Sequence, residues 1–77
     1  VVARSLQTND PVKARELAKA IADDIALYGA FDAKTAPDAR ESEVVKGRGL
    51  FQRKVAPELH AVFEAEIERR ARRAGRS

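Results

Sequence analysis

Three prolines, at positions 11, 37 and 57, divide this 77-residue chain into three segments, each of which reads as a helix from its first turn onward. Proline has no N–H to donate and its ring blocks a helix interior, but at the first helical position the missing donor costs nothing. Asp10-Pro11 is the clearest of the three starts, because an aspartate at the N-cap accepts a bond from an orphan amide. From there Ala14, Leu17, Ala18, Ile21, Ile25 and Tyr28 follow steps of three and four along one face. Gly29 then suits the left-handed residue that ends a helix, so the first helix is expected over residues 11–28.

The second segment opens with Thr35-x-x-Asp38, which resembles a capping signal around Pro37. A helix over residues 37–55 is expected, with Val44, Val45, Arg48, Phe51 and Val55 as its rows. Gly47 and Gly49 lie inside it, each costing about 1 kcal/mol relative to alanine. Two explanations stand: a weak, kinked or broken helix, or a close crossing in which Gly47 admits a neighbouring backbone or Tyr28. KGRG matches neither a Walker loop nor a dinucleotide fingerprint, and no parallel-sheet pattern surrounds it.

Ala56-Pro57 ends that helix and starts a third, over residues 57–73, with Leu59, Val62, Phe63 and Ile67 as its stripe. Glu66 with Arg70 and Glu68 with Arg72 stand at i, i+4 in the favourable order. Alternation never persists long enough to signal a strand. The expected fold is all-α: a helical hairpin plus a third helix packing across it or against a second chain.

Core size bears on that choice. Fifteen of the apolar residues are alanine and only 19 are larger, while a single core in so small a domain supplies about 3–5 kcal/mol. The chain has no cysteine and one histidine, which rules out disulfides, thiolate sites and a His-pair metal site within the chain. A dimeric bundle is therefore expected, with no metal and no cofactor.

The formal charge of +3 is unevenly spread. Residues 69–77 hold five of the 15 basic residues and no acid, so the remainder carries ten basic against 12 acidic residues, a body of −2. The domain reading is a leader or linker end at 1–9, a helical domain at 10–68 and a basic C-terminal tail at 69–77. Arg69, Arg70, Arg72, Arg73 and Arg76 have three readings: a solvated helix end, a nucleic-acid contact, or a contact with an anionic membrane surface. Nucleic acid is not favoured, because interleaved aromatics and a basic recognition helix are missing. A membrane surface is not favoured either, since the apolar residues of the third helix are needed in the core. With no run of about 20 apolar residues and no signal-peptide pattern, a cytoplasmic location is expected.

Catalytic constellations are weak. Asp23 and Asp24 are adjacent, so on a helix they point about 100° apart and do not face one another. Asp24 is nearer the apolar stripe, placed to cap a neighbouring helix or to pair with Arg48. His60 reads as a half-buried polar contact without a nucleophile at a partner spacing, and Tyr28 as a core ring with a wet tip. An enzyme is not indicated.

Residues 17–28 (LAKAIADDIALY) and 47–57 (GRGLFQRKVAP) resemble a short helical module found at the end of some bacterial multi-domain proteins, often behind zinc-ribbon or receiver-type domains. Leu17, Ala18, Ile21, Asp24, Ile25, Leu27 and Tyr28 carry the first half of that pattern, and Gly47, Arg48, Leu50, Phe51, Val55 and Pro57 the second. Asp23 stands where the pattern has serine, Gly29 where it has asparagine, and Ala56 is an addition before the proline. The resemblance implies a self-associating accessory module without chemistry of its own, in which Asp24, Tyr28, Gly47 and Arg48 form one packed polar contact. The expected function is a homodimerisation or protein-interaction module of a larger bacterial protein. Its packing or dimer-interface residues are expected to be Leu17, Ile21, Asp24, Ile25, Tyr28, Gly47, Arg48, Phe51, Val55, Leu59, Phe63 and Ile67. The alternative is a small nucleic-acid-associated protein using the arginine tail.

Overall fold

A computed structural model describes residues 7–75 and shows an all-α domain of three helices: α1 (Pro11–Leu27), α2 (Pro37–Lys54) and α3 (His60–Gly75). A 3-10 turn, Pro57–Leu59, leads into α3, so the third segment begins as this tighter turn and becomes α-helical three residues after the proline. Arg76, at the end of the basic segment, and residues 1–6 of the leader lie outside the described residues.

Local chemistry accounts for most of the boundaries. Asp10 Oδ1 accepts the Val12 amide at 2.9 Å, with Pro11 at the first helical position. At the other end of α1, Gly29 adopts φ +89°; its amide donates to Ala26 O and that of Ala30 to Ile25 O, the paired bonds of a Schellman end. The expected threonine cap of α2 is not formed. Ala36 occupies the N-cap with no side-chain bond, and the preceding turn is instead held by Asp32, whose carboxylate accepts the Lys34 amide. Asp38 still lies in the first turn, where it complements the helix dipole.

The leader is not wholly detached. Thr8 forms an isolated parallel bridge with Val55: its amide donates to Lys54 O at 2.9 Å and its carbonyl accepts the Ala56 amide at 2.8 Å. Val55 is extended and fully buried, so the break between α2 and α3 is pinned by the residues entering α1. α1 and α2 are consequently antiparallel. α3 returns alongside α1 in the same direction, Val62 and Glu66 bordering Ala18 and Lys19 while Arg70 meets Asp23.

The stripes of all three helices close on one another. Ala14, Ala18, Ile21 and Ile25 of α1 share a core with Phe51, Val55 and Phe63, and Leu17, Val44, Leu59, Val62 and Ile67 pack around it. Phe51 and Phe63 stack with ring centroids 5.2 Å apart. Gly47 is buried at the crossing: a Cβ there would lie 3.0 Å from Ile21 Cγ2 and 3.3 Å from both Ile25 Cγ2 and Phe63 Cζ. The close crossing therefore exists and α2 is unbroken through both glycines, but the approaching groups are two isoleucines and a phenylalanine, not Tyr28. Around Gly49 there is open space.

Tyr28 departs from its expected place. It is 68% exposed and forms the C-cap just past the end of α1 at Leu27. Val45 is likewise exposed on the flank of α2.

Candidate interaction surface

Ion pairs, rather than apolar contacts, distinguish the faces of this bundle. On α3, Glu66 is buried, and both of its carboxylate oxygens are engaged: Arg69 donates to Oε1, and Arg70 Nε donates to Oε2 at 2.8 Å. Arg70 also reaches across to α1, where Nη1 meets Asp23 Oδ1 at 2.7 Å. Burial by itself pushes the Glu66 carboxyl up, but the hydrogen bonds from Arg70 and Arg69 outweigh it and hold the group below the usual carboxylate range. Burial also disfavours the charged Arg70, yet its bonds to Asp23 and Glu66 raise it above the ordinary arginine value. The pairs Glu66–Arg70 and Glu68–Arg72 expected from their spacing are both present.

Arg48 is committed elsewhere than expected. It grips Glu64 of α3 through two bonds, Nε to Oε2 at 2.7 Å and Nη2 to Oε1 at 3.0 Å, and this hydrogen bonding to Glu64 is the main reason its guanidinium is raised. Asp24 and Tyr28 are both exposed, so the single polar contact among Asp24, Tyr28, Gly47 and Arg48 is not formed. Asp23, not Asp24, makes the cross-helix pair, because Arg70 meets α1 on the side that also carries Arg15 and Lys19. His60 is the half-buried contact its position suggests, Nε2–H donating to Val55 O at 2.8 Å.

The seam between α1 and α3 opens into a cleft of about 370 Å³. Arg15, Ala18 and Lys19 line one side and Val62, Ala65, Glu66 and Arg69 the other. Alanine on both helices leaves the space, and the cations stand at its rim. Among the described residues, Arg15, Lys19 and Arg73 make no ion pair, whereas Arg69, Arg70 and Arg72 of the basic segment are all paired with acids. A second cleft, of about 100 Å³, lies between Phe31, Arg40 and the alanines of the last turns of α3; the buried Arg40 Nε has no hydrogen-bond partner there.

Of the interface residues expected from sequence, Ile21, Ile25, Gly47, Phe51, Val55 and Phe63 are buried in the chain's own core, and Leu17, Leu59 and Ile67 pack against it. The cleft residues Arg15, Lys19, Val62 and Ala65 were not singled out as a group. Their signal was the basic i, i+4 pair Arg15/Lys19 beside Ala18, visible only once α3 is known to lie against that flank. No group of His, Cys, Asp or Glu among the described residues is arranged to hold a metal ion, and no helix among them is long and apolar enough to cross a membrane. The fold and surface define a small all-α helical domain with a basic, apolar-floored seam. Comparison with protein-family models, curated proteins and solved structures finds no match.

Proposed function

We propose that this domain is a non-enzymatic protein-interaction module and that its contact surface is the α1/α3 seam. The observation carrying this reading is the cleft, in which apolar Val62 and Ala65, above the buried Ala18, stand between Arg15, Lys19 and Arg69. The polar groups of greatest chemical potential are spent on structure: both Glu66 oxygens hold arginines, and His60 Nε2 holds the Val55 carbonyl. The resemblance of residues 17–28 and 47–57 to bacterial accessory modules is in keeping with such a role.

The partner in this reading is another protein rather than a second copy. The case for a dimer was the thin core, and here most of the large apolar residues of the three stripes pack within the chain. The nucleic-acid alternative is weakened in turn, since three arginines of the basic segment already face acids. A photo-crosslinking residue placed at Ala65, within the cleft, is expected to give a discrete adduct with a different protein in the native cell. The same residue at the exposed Ser42 of α2 is expected to give none. An adduct of the chain with itself, or no adduct at Ala65, would overturn the reading.

A further inference from the structure

We propose that the α1/α3 cleft takes an acidic amphipathic helical segment of the partner protein; the inference rests on the seam being the contact surface. The partner's aliphatic side chains would lie on Val62 and Ala65, and its carboxylates against Arg15 and Lys19, unpaired among the described residues. Three observations converge on this chemistry.

The first is an unanswered charge. Arg15 and Lys19 are one helical turn apart on α1, where like charges repel, and neither meets an acid among the described residues. Across the seam, Arg73 stands one turn beyond Arg69 and also lacks an acid partner among those residues, so the basic rim continues along α3. The only carboxylate in the cleft, Glu66, is turned into the protein with both oxygens taken. What faces outward is therefore cationic, and its complement is an acidic surface.

The second is the floor. Small side chains at Ala18 and Ala65 leave a trough beside Val62 whose size, about 370 Å³, is at the small end of ligand clefts and holds only a few aliphatic groups. The third is the neighbourhood. The cations stand beside apolar Val62 and Ala65, from which a phosphate backbone would gain nothing. A helix carrying glutamates and leucines uses both features.

The test is an NMR titration of the labelled chain with three probes: a short helical peptide of glutamates with leucines at i, i+3 and i+4, a peptide of the same charge with serines for those leucines, and a single-stranded oligonucleotide. The leucine peptide should shift Ala18, Val62 and Ala65, with an affinity that falls as salt rises. Arg15→Glu with Lys19→Glu should weaken it by about tenfold or more, while its thermal midpoint stays near the parent's, since both side chains are exposed. Equal binding of the serine peptide, tighter binding of the oligonucleotide, or shifts centred elsewhere would overturn the inference. The crosslink separates the two levels: an Ala65 adduct with a neutral or basic segment defeats the acidic helix and leaves the surface, whereas no adduct removes the surface itself.

Discussion

Gly47 and Ile21 meet where α2 crosses α1, with room for a hydrogen on the glycine and too little for a methyl unless neighbours give way: a Cβ would lie 3.0 Å from Ile21 Cγ2, with Ile25 Cγ2 and Phe63 Cζ each 3.3 Å away. Three buried neighbours would have to yield at once. Gly47→Ala should therefore lose about 1 kcal/mol, overpacking outweighing the gain in helix propensity. At Gly49, where nothing approaches within 4 Å, the same change should add about 0.5–1 kcal/mol. Urea unfolding of the two variants should give midpoints displaced to opposite sides of the parent's.

Phe63 is fully buried against Phe51, so Phe63→Ala removes the ring stack between α3 and α2. The expected cost is about 3–5 kcal/mol, the whole of what a core this small supplies. Circular dichroism should show most of the helical signal lost at room temperature. Leu27→Ala, at a residue 83% exposed, should change stability by no more than about 0.5 kcal/mol.

Glu66 gives the domain an acid limb. Its carboxyl titrates below the usual range in the fold, despite burial, because Arg70 and Arg69 hold the ionised form. The unfolded chain takes up the proton at about 4.3. The contribution to stability is thus complete above that value and lost as pH falls through the lower folded-state value. Glu66→Gln should flatten this part of the stability profile, and Arg70→Met should move the Glu66 titration, followed by carboxyl carbon NMR, upward.

The two helix starts should respond in opposite ways. Asp10→Ala removes the bond to the Val12 amide and should cost about 1 kcal/mol. Ala36→Asp supplies a cap that α2 lacks and should add about as much. Thermal midpoints of both variants decide the matter.

The features legible in the sequence are those written within a few residues of one another. Pro11, Pro37 and Pro57 mark the starts, Gly29 marks a stop, and the stripes on α1 and α3 find their way inside. Partner choice across helices was not legible. Arg48 goes to Glu64, and Asp23 rather than Asp24 goes to Arg70, because a helix flank becomes a contact only when a neighbour's position is known. The Thr8–Val55 bridge is made by backbone groups, which leave no side-chain pattern to read. The way the core is filled was not legible for a related reason. Alanines at 14, 18 and 22 are wholly or almost wholly buried and let the helices approach closely, so a few large residues suffice.

The parallel course of α1 and α3 gives the seam a sense of direction. On any helix the Cα–Cβ bonds tilt toward the N-terminus, so the two walls of the cleft lean the same way, where antiparallel walls would lean in opposite ways. Reversing a rod laid between them would exchange which of its side chains slide under that overhang and which collide with it. The trough is a slot with a grain, and a peptide and its retro-sequence, alike in charge and composition, would not be equivalent to it.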